Sequence, residues 1–379
     1  MPSLRPSRLI VGMMTGTSID GIDLALARVE GTGLAIRAWP VAFRSATLGD
    51  LAPRLRAAAE QLPAPAAEFA ALARDLGLLH AREAAALLAE SGCLRPHLAA
   101  VHGQTVFHRP PVSWQAINAR VIAEALRCDA VYDLRAHDLA AGGEGAPLTP
   151  LADWILFRSA APRAVVNLGG FANATFLPAD DGAPHQRQVD EIRGADLCAC
   201  NQLLDRAARA AIDRDFDEDG AAAAAGARDE AAFAELARLL APRADARSLG
   251  TGDELFAWVD LHRRRLPAND LLATAADAVG TAIGTAIAAH GVRDAVLAGG
   301  GARHARLRAA IAASAGITER TSDECGIPAT GREALEWAIL GALAEDGVEI
   351  ALAAVTHRPA PAATTPGSWI RARATANTP

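Results

Sequence analysis

Cysteine is scarce and odd in number. The five thiols, Cys93, Cys128, Cys198, Cys200 and Cys325, in a chain of 379 residues do not suit a disulfide framework, and a reducing cytoplasm is expected. An excess of basic charge is lacking too. The 37 Lys and Arg against 44 Asp and Glu give a net charge of −7, which argues against a nucleic-acid or anionic-membrane surface. No continuous apolar stretch of signal-peptide length follows the N-terminal arginines. No segment is expected to be apolar enough for long enough to span a bilayer. The nearest, Ala278 to Ala289, is built of Ala, Gly, Thr and Ile and reads as a tightly packed buried helix. What remains is ample: 51% hydrophobic and 21% charged residues describe a globular protein with a large core, of roughly two or three domains by length.

The chain is organised around Leu9 to Val29, LIVGMMTGTSIDGIDLALARV. Leu9, Ile10 and Val11 suit a buried strand. Ile22, Leu24 and Leu26 alternate with Asp23, Ala25 and Ala27, a second strand of period two. Between them Thr15-Gly16-Thr17-Ser18 makes a turn of small and hydroxylated residues. Its backbone N–H groups and hydroxyls are unobstructed, and such concave arrays of donors bind phosphate. Most Gly-Thr-Ser turns are plain hairpin turns. This one follows a buried strand and has Asp20 and Asp23 beside it, and carboxylates next to a phosphate site point to Mg2+. The Gly-Lys-Ser/Thr ending of a Walker loop is missing, and a strand follows instead of a helix, so the stretch is not a P-loop.

Further along, Leu51 to Glu90 is helical, broken at Pro63 and Pro65. Leu98 to Val101 is a short strand leading into His102-Gly103-Gln104-Thr105. His102 reads as a base, a substrate hydrogen bonder or, the commonest case for a lone histidine, a structural residue. A helix from Ala119 to Leu126 and a strand at Ala130 to Tyr132 precede Ala141 to Leu148, a loop whose composition suits a hinge, a closing flap or a plain connector. Arg163 to Leu177 repeats the opening theme. A strand at Ala164 to Val166, a glycine-containing turn from Asn167 to Asn173 and a returning strand suggest two domains of similar build. Asp196 lies in Gly194 to Asn201, just ahead of a helix from Gln202, and suits a cap or a general base. Cys198 and Cys200 have no further ligand cluster nearby, which sets a metal site aside. Asp229 to Leu240 is an amphipathic helix. Leu271 to His290 is a helix of small residues. Ala295 to Ala298 is a strand, followed by Gly299-Gly300-Gly301 and a helix, where bare backbone at a helix N-terminus suits a nucleotide. A helix from Gly331 to Ala344 carries Glu333 near its start. Val355 to Gly367 reads as irregular, and the last residues as frayed.

With these residues assembled, the chain resembles the anhydro-N-acetylmuramic acid kinases from about Leu9 to Trp369. The resemblance rests on Gly12 through Gly21, His102-Gly103-Gln104-Thr105, Arg135 through Pro147, Asn167-Leu168-Gly169-Gly170, Asp215 through Gly220, Gly299 through Arg303 and Glu333-Ala334. It implies an α/β fold of two ribonuclease-H-like (actin-like ATPase) domains flanking a nucleotide cleft. The expected division is 1–138 with about 345–379, against 139–344. It implies ATP and Mg2+ as cofactors. The nucleotide would lie on Gly16, Thr17, Ser18, Ile19, Asp20, Gly21, Ile22 and Asp23, on Asn167, Gly169 and Gly170, and on Gly299, Gly300 and Gly301. Asp20 would hold the metal. His102, Gln104, Arg135 and Asn201 would bind the sugar, with Asp196 as catalytic base and Glu333 assisting. The implied reaction opens the 1,6-anhydro bond of anhydro-N-acetylmuramic acid and phosphorylates its six-position oxygen, a step of peptidoglycan recycling, in a cytoplasmic homodimer. The chain departs from the family at Leu197-Cys198-Ala199-Cys200, where the family writes Thr-Gly-Pro-Gly, and at Gln115-Ala116-Ile117, Glu144 and Thr15. Those departures leave room for another anhydro sugar such as levoglucosan, or for a relative that binds nucleotide without turnover. Because glycine tolerates φ > 0 and cysteine does so poorly, the 197–200 change is expected to slow the enzyme or shift its selectivity.

Overall fold

The computed structural model describes residues 7–16, 18–241, 253–359 and 361–372. In chain order the strands are β1 (Arg8–Thr15), β2 (Gly21–Glu30), β3 (Arg37–Thr47), β4 (Leu98–Arg109), β5 (Val112–Ala116), β6 (Asp129–Tyr132), β7 (Arg163–Leu168), β8 (Phe171–Leu177), β9 (Arg193–Ala199), β10 (Asp294–Ala298), β11 (Thr318–Thr321) and β12 (Ser368–Ile370). The helices are α1 (Leu51–Ala59), α2 (Ala66–Glu90), α3 (Ala119–Leu126), α4 (Ala136–Ala140), α5 (Pro150–Phe157), α6 (His185–Asp190), α7 (Asn201–Ile212), α8 (Ala221–Ala224), α9 (Glu230–Leu240), α10 (Asp253–His262), α11 (Ala268–Ala289), α12 (Ala305–Ala315), α13 (Arg332–Glu345) and α14 (Ala353–Thr356). They form two units, Met1–Leu156 with Ala183–Ile192 and Thr330–Pro379, and Phe157–Gly182 with Arg193–Ala329. The chain crosses between units after 156, 182, 192 and 329, whereas the sequence suggested two crossings, after 138 and 344. The whole of α13 therefore belongs with the first sheet.

In the first unit the strand order is β12-β6-β4-β1-β2-β3, with β5 added to β4. β1, β2 and β3 run as an antiparallel meander. β4 then lies parallel to β1, and β6 parallel to β4. The second unit repeats this plan. Its order is β11-β10-β7-β8-β9, with the meander β7-β8-β9 antiparallel and β10 and β11 parallel to β7 and to each other. A meander followed by crossovers to parallel strands on the far side of the first strand is the ribonuclease-H-like arrangement, present here twice, as expected.

The first strand of each meander is central and buried on both faces, which is why it reads as an apolar run. Ile10, Val11 and Met13 are fully buried. One face of this sheet is covered by α13, which packs on β1, β2 and β4. The backbones meet at Gly12, where an added Cβ would lie 1.8 Å from the Ala334 carbonyl oxygen. The other face carries α1, α2 and α3 through Leu55, Leu72, Leu76 and Ile122. Strands β3, β5, β9 and β11 were not legible. β3 is an edge strand whose residues alternate between partly and fully exposed. It contains Pro40, accommodated where the register slips between Leu26 and Ala27. β9 is likewise an edge strand with a register shift.

In the second unit α11 is the central helix of the core. It packs on α12, α9, α8 and α7. At 22 residues, with mean hydropathy 1.5 over its most apolar window, it is long and apolar enough to cross a membrane. That corrects the expectation that no segment would be. However, 67% of that window is buried inside the protein, because small residues at Gly280 and Gly284 let α12 approach closely.

Candidate active site

In the first unit, β1 delivers the turn after Thr15. Ile19 N–H donates to the Gly16 carbonyl at 3.2 Å, closing the turn. Ile19 has φ +53°, a costly conformation for a β-branched residue and one that clusters at functional turns. Its carbonyl accepts from Arg56 Nη2 at 3.1 Å. Ser18 and Asp20 are exposed, and Ser18 Oγ donates to Asp20 Oδ1 at 2.8 Å. Thr17 lies outside the described residues. Gly21, Ile22 and Asp23 open β2. The Ile22 side chain is fully buried core, so only its backbone is available to a ligand. Asp23 accepts from Ser45 Oγ. Burial, and then the charges of Asp20 and Glu333, raise the Asp23 carboxyl above its usual range. The crowding of these carboxylates is what a bound cation would relieve. Among the described residues no group of three or more His, Cys, Asp or Glu is placed to hold a metal ion.

Behind the turn stands His80, which the sequence did not single out, together with His102, Gln104, Arg135 and Glu333, which it did. Thr15 Oγ1 lies 3.0 Å from His80 Nε2, both buried. His102, on β4, accepts at Nε2 from Arg135 Nη2 at 3.0 Å, and its ring packs edge-on against Trp337, centroids 4.6 Å apart. Burial, with the Arg135 charge second, lowers the His102 pKa to about 3. Arg135 itself is pushed down to about 10 by burial, opposed by Glu333 and Asp133. Gln104 is fully buried; its Nε2 donates to the Thr105 carbonyl, and its Oε1 has no protein partner. Glu333 is half-buried in the first turn of α13. The 141–148 loop is pinned rather than hinged: Gly145 accepts at its carbonyl from Arg135 Nη1 at 2.8 Å and donates its N–H to Asp138 Oδ2 at 2.8 Å. Glu144 N–H donates to the Thr356 carbonyl at 2.9 Å.

In the second unit, the turn between β7 and β8 is only Gly169-Gly170, shorter than the sequence suggested. Asn167 lies opposite Asn173, and Asn173 opposite Asp196. These three side chains therefore form a polar row across one face of the meander. Asp196 is on β9, a strand the sequence did not reveal, and α7 follows directly as read from sequence. The register shift at Ala172/Asn173 leaves Leu197 as the extra residue beside it, and such bulges re-aim neighbouring side chains. Asn201 opens α7. Its Nδ2 donates to the Leu168 carbonyl at 2.9 Å, and its N–H to the Gly169 carbonyl at 3.0 Å. Its side-chain amide thus braces the glycine turn.

Gly299 has φ +82°, and an added Cβ would lie 2.8 Å from both Asn167 Oδ1 and the Leu168 carbonyl. Only glycine fits there. Gly300 is exposed and begins a 3-10 turn, Gly300–Arg303. α12 begins after that turn, its end closed by His304, whose Nδ1 accepts from Leu307 N–H at 3.2 Å. The acidic segment 215–220 is structural: Asp217 accepts from Ala222 and Ala223 N–H, both at 2.8 Å. No residue of 197–200 has a positive φ. Cys198 and Cys200 are buried in the core beside Leu203, so the conformational argument for glycine at these positions does not hold.

The family model described as anhydro-N-acetylmuramic acid kinase matches residues 8–367. A relative of that name from Bordetella avium is 34% identical over 364 residues, covering 93% of this chain and 93% of its own. One from Gloeobacter violaceus is 34% identical over 372 residues, covering 92% and 95%. Among solved structures, the activator of the 2-hydroxyisocaproyl-CoA dehydratase from Clostridium difficile with bound ADPNP superposes with a TM-score of 0.44 at 16% identity, over 88% of this chain and 94% of that one.

Proposed function

Because this chain belongs to the anhydro-N-acetylmuramic acid kinase family, we propose that it opens the 1,6-anhydro bond of anhydro-N-acetylmuramic acid and phosphorylates the freed oxygen. It is an ATP-dependent kinase of cell-wall recycling. The observation that carries this reading is the family match over residues 8–367. The site chemistry supports it. In the first unit the Gly16–Asp23 segment offers backbone N–H groups and the Ser18 hydroxyl to the phosphates, with the two carboxylates beside them available to a cation. In the second, the exposed backbone of Gly170 and Gly300 suits the nucleotide. Asp20 would hold Mg2+, which when bound offsets phosphate charge. His102, Arg135 and Gln104 face the sugar in this reading, and Asn201 shapes the turn at Gly169. The five unbridged cysteines fit a cytoplasmic enzyme, and the reading includes a homodimer.

An anhydro sugar has no free six-position hydroxyl, since that oxygen closes the anomeric bridge. Asp196 takes a proton from a water that attacks the anomeric carbon. The bond from that carbon to the six-position oxygen breaks as the new bond forms. The released oxygen attacks the γ-phosphate, ADP leaves, and the turn N–H groups stabilise the charge that develops. Glu333 orients water or sugar.

The test sets anhydro-N-acetylmuramic acid and levoglucosan side by side with ATP, in heavy-oxygen water. The expected product is a 6-phosphate of the first sugar, with the label on the anomeric hydroxyl. Label in the phosphate ester would overturn the mechanism. Phosphorylation of levoglucosan alone would move the substrate.

A further inference from the structure

The short helix α4 is tied to the C-terminal segment by two adjacent side chains. His137 Nε2 pairs with Glu349 Oε1. Asp138 is fully buried. Its Oδ1 accepts from the Thr356 hydroxyl at 2.9 Å, and Arg358 Nη1 stands 3.4 Å from the same oxygen. Glu349 pairs with that guanidinium as well, at 3.1 Å. The other oxygen of Asp138 holds the 141–148 loop. Oδ2 accepts from Gly145 N–H at 2.8 Å, and the Asp138 carbonyl accepts from Gly143 N–H at 2.9 Å. Gly145 in turn offers its own carbonyl to Arg135 Nη1 at 2.8 Å. Arg135 Nε and Nη2 reach His102 Nε2 at 3.3 and 3.0 Å. Among the described residues these contacts engage three of the five N–H groups of a guanidinium. The others are left to a ligand, on a side chain that stays partly exposed.

We propose that Asp138 is a positioning residue for the sugar site: it carries the anchorage of the C-terminal segment, through the backbone of Gly145, to the Arg135 guanidinium. A carboxylate without water is tolerated only where donors and positive charge meet it. Asp138 meets them at Thr356, Arg358 and Gly145, and this fixes where the carboxylate sits. Gly145 has no side chain to lock it by packing. The hydrogen bonds on either side of its Cα therefore set the direction of its carbonyl, and that carbonyl with His102 sets the guanidinium. Asp138 touches no reacting atom. It acts through Arg135, so the inference rests on the reading above that Arg135 faces the sugar.

Asp138→Ala takes the acceptor from Gly145 N–H and frees the Gly145 carbonyl to leave Arg135. With the sugar varied, kcat/KM is expected to fall about 10- to 100-fold, as for a misplaced group. KM for ATP should stay within about threefold of native, a split between substrates that general destabilisation would not produce. Asp138→Asn can turn its amide oxygen to Gly145 and its NH2 to the Thr356 hydroxyl, so sugar kinetics within about fivefold of native are expected. Thr356→Val removes one contact to the carboxylate and keeps the one to Gly145. It should lower the urea midpoint and leave sugar kinetics near native. The His102 Nε2 nitrogen resonance should move in Asp138→Ala, where Arg135 departs, and hold in Thr356→Val. Equal losses for sugar and ATP, an Asn variant as impaired as the Ala variant, or an unmoved His102 resonance in Asp138→Ala overturns the positioning role. Should Asp138→Ala not fold, amide exchange in the native protein carries the test. A Gly145 amide that exchanges as slowly as those of β1 and β4 supports the anchor, and fast exchange overturns it. Were the native enzyme inactive on both anhydro sugars, the functional reading would fall, and the His102 resonance and the Gly145 exchange would still decide the relay.

Discussion

Arg135 donates to His102 Nε2 at 3.0 Å, and that contact decides the state of the imidazole. A guanidinium has no lone pair to offer, so Nε2 must be the unprotonated nitrogen. With burial lowering the pKa to about 3, His102 is a neutral ring with its proton on Nδ1 across the physiological range. It is a positioned hydrogen bonder rather than an acid. Nitrogen chemical shifts of the ring are expected to show the Nδ1–H form from pH 5.5 to 8. A titration near the usual 6.5 would contradict the assignment.

His80 and His102 make the protein acid-sensitive. Their folded pKa values are about 4 and about 3, both from burial, against 6.5 unfolded. The unfolded chain therefore binds more protons below 6.5, and stability falls as pH drops through that window. It levels off below the folded values. For His80 alone the loss by pH 4 is about 3 kcal/mol. Urea midpoints measured from pH 7 to pH 4 should fall, and His80→Gln should flatten the slope. An unchanged slope in that variant would remove His80 from the account.

Asp196→Asn keeps the size of the side chain and removes the base. Turnover of the anhydro sugar should drop roughly a hundred- to ten-thousand-fold, while calorimetric ATP binding with Mg2+ stays intact. Near-normal turnover would assign the base elsewhere.

Gly12→Ala places a methyl 1.8 Å from the Ala334 carbonyl oxygen and 2.6 Å from the Ala338 nitrogen. Backbone cannot yield there as a side chain tip would, so α13 must shift. The expected cost is about 2–3 kcal/mol or more, read as a lower urea midpoint, with a loss of activity because Glu333 moves with the helix. A native midpoint would show that the helix accommodates the methyl.

The double change Cys198→Gly with Cys200→Gly is expected to lower stability by about 1–3 kcal/mol and to leave activity no higher. Both thiols fill core beside Leu203, and neither position has the positive φ that favours glycine. Glycine there adds cavity and unfolded-state entropy. A gain in turnover on anhydro-N-acetylmuramic acid would instead support the selectivity expected from the family's glycines.

Asp196 and Glu333 became candidates through the family resemblance, while the sequence by itself determined the paired strand-turn-strand units and their glycine turns. Each is a local signal: an apolar run, a period of two, or a small-residue turn at a strand end. Tertiary structure decided the rest. Edge strands such as Arg37–Thr47 and Arg193–Ala199 bury too little on either face to leave a clear period, so the helix after Asp196 is legible while the strand that carries Asp196 is not. Asn173 became visible only when the meander set it opposite Asp196. His80 looked like one more residue of a helix until folding placed it against Thr15. Asp153 and Arg332 are 179 residues apart, and no periodicity links positions so distant. Their pairing, and the direction in which Glu333 points, come from helix α13 crossing a sheet at a glycine, where the absence of a side chain lets two backbones touch.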